Sequence, residues 1–371
     1  MANLVLIGGG HAHVEVLRRF GMEPLPDVQL TLVSPHPDTP YSGMLPGWIA
    51  GHYTRDQCHI DLERLTRFAR CRLVRAACNG INTGARLVFC DNGEILRFDT
   101  LSIDTGGRSP AFDTPGALDH ALAVKPVAGF VTAWDALCER AARGDGPARI
   151  AMVGAGAAGT EVLLSMQHRL RQLAPAATAE FVLLSDSDTI LPGHCSRVQA
   201  LFRQVLEQRG IRLSLGHAVE HVDRGRLRLS GGETLSADVI VWATGTSAPL
   251  WPGASGLATD QRGFILVDDC LQSVSHPGIF AAGDIASVRD HPRPKSGVYA
   301  VRAGPVLCDN LRNALLDRPL RPWRPQPRAL ALISTGNRYA IASRGNLALA
   351  GAWVWTWKDG IDRRFMRRYA V

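Results

Sequence analysis

The sequence predicts an α/β protein built from two parallel-sheet units, each opened by a strand, a glycine-rich turn and a helix. Three observations predict it. Apolar β-type runs enter glycine turns at Leu6-Ile7-Gly8-Gly9-Gly10 and again at Met152-Val153-Gly154-Ala155-Gly156. Each is followed, well downstream, by an apolar run that stops at Thr-Gly: Ile103-Asp104-Thr105-Gly106 and Trp242-Ala243-Thr244-Gly245. A further β-type run ends in Gly283-Asp284. One glycine motif is weak evidence, but two in the same order with the same sequel are hard to obtain by accident.

In the first unit, Gly8 allows a tight turn, and Gly10 lets the backbone approach a ligand with no Cβ in the way. Backbone N–H groups at the start of the next helix suit a pyrophosphate, which places Gly10, His11 and Ala12 beside it. The third glycine of the fingerprint is missing. His13 stands there and predicts a wider helix–strand contact, or an imidazole aimed at a specific partner and away from the phosphates. The helix is expected over 14–20 and the second strand over 28–34. That strand ends Ser34-Pro35 where an acidic residue usually takes the ribose hydroxyls, so Ser34 is a neutral substitute. Residues 41–47 read as an irregular loop, unusually apolar for a surface loop. Through Tyr41, Leu45 and Pro46 it suits packing on a flat cofactor.

The second unit carries the stronger signal. Residues 149–161 hold a complete G-x-G-x-x-G between a strand and a helix, the context this motif requires, and Gly154, Gly156, Ala158 and Gly159 are assigned to a second dinucleotide. The helix continues through Val162, Leu163 and Met166, and a strand follows over 181–185, ending Ser185-Asp186. Asp186 is placed to bind a ribose 2′-hydroxyl, and no arginine follows at once, which favours NADH over NADPH. The Thr-Gly ends (Thr105, Gly106, Thr244, Gly245) are strands stopping against ligands. The Asp284 carboxylate beside Gly283 is an acceptor suited to a polyol chain.

Length and composition limit the alternatives. At 371 residues the chain is too long for one small core. The net charge of +7 permits contact with anionic lipid or phosphorylated ligands, but the arginines are spread along the chain apart from a C-terminal cluster, so no nucleic-acid role is read from them. The eight cysteines include no C-x-x-C pair and read as reduced, mostly buried thiols. No apolar run suffices to cross a bilayer, and the N-terminus reads as a first strand rather than a secretory signal. The expectation is a cytoplasmic protein, with a place at the inner face of the membrane left open by the C-terminus. There Trp353, Trp355 and Trp357 alternate, as residues on one face of a strand do. Ile361, Phe365 and Tyr369 then recur every four residues among Arg363, Arg364, Arg367 and Arg368, a pattern suited to an anionic membrane surface or to packing on the protein itself or on a second copy. His11 and His13 make no complete metal site.

Taken in order, these motifs resemble the pyridine nucleotide-disulfide oxidoreductase class, the two-dinucleotide-domain flavoproteins, over nearly the whole chain. The likeness is nearest to the branch of type II NADH dehydrogenases and sulfide:quinone reductases. More narrowly, residues 8–13, 41–47, 294–302 and 357–366 are similar to a flavoprotein group found alone or fused in front of selenophosphate synthetase. The resemblance implies an FAD domain of residues 1–120 and 248–325, an NAD(P)H domain of 121–247 inserted in it, and a C-terminal extension of 326–371. It departs from the class in lacking the C-x-x-x-x-C pair of the disulfide reductases. Cys195 and Cys308 sit in no motif that matches the paired cysteines of sulfide oxidation.

The implied chemistry is hydride transfer from nicotinamide to flavin, then electron transfer to a quinone or other small acceptor. Reduction puts negative charge on one edge of the flavin ring, which favours a cation or helix N-terminus there. Lys295 and the amides from Gly297 and Val298 onward, opening a helix expected over 298–311, fit that need. Glu161, in the first helical turn after the second fingerprint, lies near the nicotinamide–flavin contact in the resembling families, and it also interacts favourably with the helix dipole. Two further readings stay open: a redox partner or regulatory module of selenium or sulfur metabolism, and a sulfide:quinone reductase-like enzyme.

Overall fold

The structure is a computed structural model and describes residues 1–176 and 178–371. β1 (Ala2–Ile7) is apolar on both faces, and its Leu4, Val5, Leu6 and Ile7 are all buried, as a strand covered by helices on both sides requires. The chain turns at Gly8 (φ +94°) into α1 (His11–Met22). β2 (Val28–Val33) pairs parallel with β1, from Ala2 opposite Val28 to Ile7 opposite Val33. α2 (Leu45–Ile49) follows, then β3 (Arg72–Val74), an antiparallel ribbon over 78–97, and β4 (Thr100–Ile103) on the other side of β1.

The second unit repeats this plan. β5 (Leu122–Ala123) and α3 (Val127–Ala142) lead into β6 (Arg149–Val153) and α4 (Ala157–Leu173). β7 (Glu180–Ser185), α5 (Ser196–Gln208), β8 (Arg212–Leu215), a ribbon over 219–236 and β9 (Val239–Trp242) complete it. The chain then returns through β10 (Ile279–Ala281), which adds to the first sheet, and α6 (Gly297–Leu315), which packs on α1. The sheet orders are β10-β4-β1-β2-β3 and β5-β9-β6-β7-β8. In both, the fingerprint strand is central and the strand ending at Thr-Gly lies beside it.

The third fingerprint position separates the two units. At Gly159 a Cβ would strike the Gly154 carbonyl oxygen, so only glycine lets α4 lie this close to β6. His13 occupies the equivalent place in α1 and is fully buried. Its Nδ1 donates to the Gly8 carbonyl (2.6 Å), which leaves Nε2 to accept from the Ser102 hydroxyl (2.8 Å). Burial pushes its pKa down to about 4, so the ring is a neutral strut rather than a charge. The imidazole therefore has specific partners.

At the C-terminus the antiparallel strands β11 (Ala331–Thr335), β12 (Asn337–Arg344) and β13 (Leu347–Gly351) pack Ile333, Ile341 and Ala348 into the core around α4. The expected strand of alternating tryptophans is instead the start of α7 (Ala352–Arg367). Helical spacing puts Trp353 and Trp357 on one face, where their rings stack 6.5 Å apart, and turns Trp355 toward Met44 and Tyr53. The far end of α7 buries Phe365, and Tyr369 beyond it, in the core of the first unit. The extension thus ties both units together.

Candidate functional site

Register builds the first cleft. Ile7, Ile103 and Ala281 lie side by side at the carboxyl ends of β1, β4 and β10, so the residues after them converge. Gly8-Gly9-Gly10, Asp104 and the Gly283-Asp284 turn meet there, at the edge where open α/β sheets bind ligands. Gly8 and Gly10 hold the positions expected of them, but Gly10 makes room for more than a phosphate. A Cβ on Gly10 or on Gly283 would strike the Asp104 carboxylate. That carboxylate accepts the N–H groups of Ala12 (2.8 Å) and His13 (3.1 Å). Ala12, expected to give its N–H to a pyrophosphate, gives it to Asp104. The N–H groups of Gly10 and His11 take no acceptor among the described residues.

The other expected cleft residues sort themselves by burial. His11 Nε2 is buried with no hydrogen-bond partner, and burial lowers the ring's pKa to about 4. Ser34 is buried and donates to its own turn at the His36 carbonyl (3.2 Å), while Pro35 is exposed. Thr105 and Gly106 lie at the open rim, where a Cβ on Gly106 would meet nothing. Asp284 does not point freely into solution, because Lys125 Nζ donates to its Oδ2 at 2.8 Å.

In the second cleft Gly154 (φ +115°) turns the chain, and Gly156 at the start of α4 and Gly245 across from it both face open space. Ser185 is buried and its hydroxyl accepts the Ser187 N–H (3.1 Å), while Asp186 is exposed at the end of β7. Thr244 accepts from the Trp242 indole N–H (2.7 Å). Ala158 sits in the first turn of α4.

Between the clefts lies a buried set of charges. Glu161, one turn into α4, accepts the Ser334 N–H of β11 (2.7 Å). Burial raises its pKa, against the pull of Lys358 and Ser334. Lys358 of α7 donates to Asp362 (2.7 Å) and to the Gly43 carbonyl, with side-chain exposures of 12% and 6% for the lysine and the aspartate. Neighbouring carboxylates, Asp362 ahead of Glu161, hold its ammonium above the ordinary lysine range despite burial. The loop that Gly43 belongs to is only half irregular. Leu45 and Pro46 are buried in the single turn of α2, where Pro46 supplies a preset φ near the helix start. Tyr41 stacks on Phe365 at 4.2 Å and stands edge-on to His11 at 5.5 Å.

α6 begins at Gly297, one residue earlier than expected, and a Cβ there would press on the Ser42 hydroxyl. The loop, with Val298 next in line, therefore meets this helix N-terminus. Lys295 donates to the Ala286 carbonyl and lies 3.8 Å from the Phe264 ring, and burial lowers its pKa to about 8. Asp104, Lys125, Lys358 and Asp362 are the site residues that sequence reasoning missed. Asp104 left a trace as the charged counterpart of Ala243 in otherwise matching Thr-Gly ends, and Lys358 and Asp362 lie four residues apart in the 357–366 stretch that carried the narrower resemblance.

The fold and its two clefts define a two-dinucleotide oxidoreductase. The chain belongs to the pyridine nucleotide-disulphide oxidoreductase family, whose sequence pattern matches residues 2–304. It is 27% identical over 321 residues to an NADH dehydrogenase-like protein of Mycobacterium tuberculosis, covering 83% of this chain and 79% of that protein. Its fold is shared with the sulfide:quinone oxidoreductase of Aquifex aeolicus (TM-score 0.82, 18% identity, 100% and 91% of the two chains). It is shared equally with NDH2 from Plasmodium falciparum in complex with NADH (TM-score 0.83, 14% identity, 99% and 96%). The residues of the first cleft fit the FAD that this family binds: an orphaned buried imidazole nitrogen, two N–H groups without acceptors and an open rim at Gly106.

Proposed function

We propose that this protein takes a hydride from NADH onto FAD and passes the electrons to a quinone or another small acceptor. One observation carries the reading. α4, which opens the second cleft, brings Glu161 to the same buried cluster that α7 and the 41–44 loop share with His11 of the first cleft. In this reading residues 1–120 and 248–325 hold FAD, 121–247 hold the nicotinamide coenzyme, and 326–371 close the site between them.

FAD, when bound, supplies the step between two-electron and one-electron chemistry. The chain's own contribution is charge and proton placement. The N-terminus of α6 and the Lys295 ammonium behind the Gly-Asp turn favour negative charge on the adjacent ring edge. Burial shifts Glu161 toward its acid form and neighbouring carboxylates keep the Lys358 ammonium charged, which puts two groups able to exchange protons between the clefts. Exposed Asp186 supports NADH over NADPH. Cys308 gives no support to a cysteine mechanism, because it is fully buried in the first core and its thiol is pushed up to about 11.

Anaerobic stopped-flow mixing tests the assignment. Flavin absorbance should bleach rapidly with NADH, more slowly with NADPH, and recover on adding a soluble quinone. Slow bleaching with both coenzymes would reject turnover and favour the redox-partner reading in selenium or sulfur metabolism.

The acceptor bears on the tail. No helix among the described residues is long and apolar enough to cross a membrane. Trp353, Trp357 and Ile361 are 54%, 42% and 43% exposed along one stripe of α7, which Arg364 and Arg368 continue. We propose that this stripe rests on an anionic membrane surface. Replacing both tryptophans by serine should reduce co-sedimentation with anionic liposomes several-fold. Equal pelleting of both proteins, with dimerisation lost in the variant, would assign the stripe to a second copy.

A further inference from the structure

Asp104 is unusual for where it is, quite apart from its charge. Its carboxylate lies where the side chains of Gly10 and Gly283 would be, between the fingerprint and the Gly-Asp turn. It is buried, 3% exposed, and it caps α1 from outside the helix by accepting the N–H groups of Ala12 and His13. The second unit has Ala243 at the matching place, and there the start of the helix faces open space at Gly156. The first helix N-terminus therefore offers its positive end to two groups: a fixed carboxyl and, on the reading above, the FAD pyrophosphate. Two full anions at one helix N-terminus repel, the more so because the Asp104 carboxylate is buried.

We propose that Asp104 is a positioning residue for the flavin dinucleotide, bound as the neutral acid when FAD is held and releasing FAD when it ionises. As the acid it still accepts the Ala12 and His13 N–H groups through one oxygen, while the other carries a proton that satisfies an anionic neighbour. This rests on the first cleft being the FAD site. Burial, against the two N–H bonds and with Asp284 adding to it, raises the Asp104 pKa to about 7, so the change falls near neutral pH.

Other groups facing Asp104 titrate elsewhere or are separable. His11 and His13, from α1, are neutral above about pH 4. Asp284, from the turn after β10, is paired with Lys125. Lys295, with a pKa of about 8, faces Asp284 and Asp260 rather than Asp104. The pyrophosphate itself stays ionised throughout.

The experiment is FAD affinity of the full-length protein, by quenching of flavin fluorescence during reconstitution, from about pH 6 to pH 9. The FAD dissociation constant of the wild type should rise above neutrality, approaching about tenfold per pH unit as one proton becomes coupled to binding. Asp104→Asn mimics the neutral acid, so its affinity should be nearly flat with pH and tighter than wild type at pH 9. Circular dichroism checks that the variant is folded; should it not fold, Lys295→Met decides, because a slope that persists without the lysine stays with Asp104 and a slope lost with it overturns the proposal. A wild type whose affinity does not change with pH overturns the proposal. So does an Asn variant with the wild-type slope, which would move the effect to Lys295. Protein that takes up no FAD at any pH rejects the FAD assignment of the cleft instead.

Discussion

Replacing Lys358 by methionine is expected to cost about 3–5 kcal/mol of stability. The methionine keeps the length and much of the apolar contact of the lysine stem, so the loss is one of charge. Asp362 stays 6% exposed with no cation, Glu161 loses its nearest compensating charge, and the Gly43 carbonyl loses a donor. Breaking one side of a buried pair leaves the other charge in low dielectric, which is why the cost exceeds that of a surface pair several-fold. Urea denaturation checks it. Lys358→Met/Asp362→Leu should recover part of the loss, because no aspartate charge is then stranded, and a double variant no better than the single would show that packing dominates. Re-oxidation by quinone should slow more than reduction by NADH, since Lys358 lies among α7 and the loop rather than in the second cleft.

Gly159→Ala should come next, at about 1–3 kcal/mol. The new methyl group would strike the Gly154 carbonyl and sit 3.3 Å from the Ala243 Cβ, so α4 must move off β6. That displacement shifts the start of α4, where Gly156 faces the coenzyme space, and carries Glu161 with it. NADH affinity should fall by at least about tenfold, equivalent to 1.4 kcal/mol, while FAD content stays at the wild-type level. Equilibrium titration with NADH against flavin content separates the two. Loss of both cofactors together would mean that the two units do not fold independently enough for the distinction.

The repeated strand–turn–helix was legible because it depends on local chemistry. Gly8 and Gly154 adopt positive φ, which side chains rarely allow, and apolar runs such as 4–7 and 150–153 must be buried on both faces. The missing third glycine was legible too, as a defect, and His13 proved to bond the Gly8 carbonyl, the counterpart of the Gly154 carbonyl that Gly159 lies against. The tryptophan alternation misled because a two-residue period over five residues also satisfies a helix with one ring turned inward. Only the position of α7 beyond β13 chose between them.

The sequence by itself determined two dinucleotide units, their order, and the helix starts that face ligands, since each follows from glycine stereochemistry and apolar runs a few residues long. Tertiary structure alone decided that Asp104 shares a helix N-terminus with the first cleft, that Lys125 engages Asp284, and that Glu161, Lys358 and Asp362 form one buried cluster. Apart from Lys358 and Asp362, one helical turn from each other, these partners stand far apart along the chain. What joins them is the parallel register of β1, β4 and β10 and the packing of the C-terminal extension across both cores, and neither leaves a periodicity in the sequence.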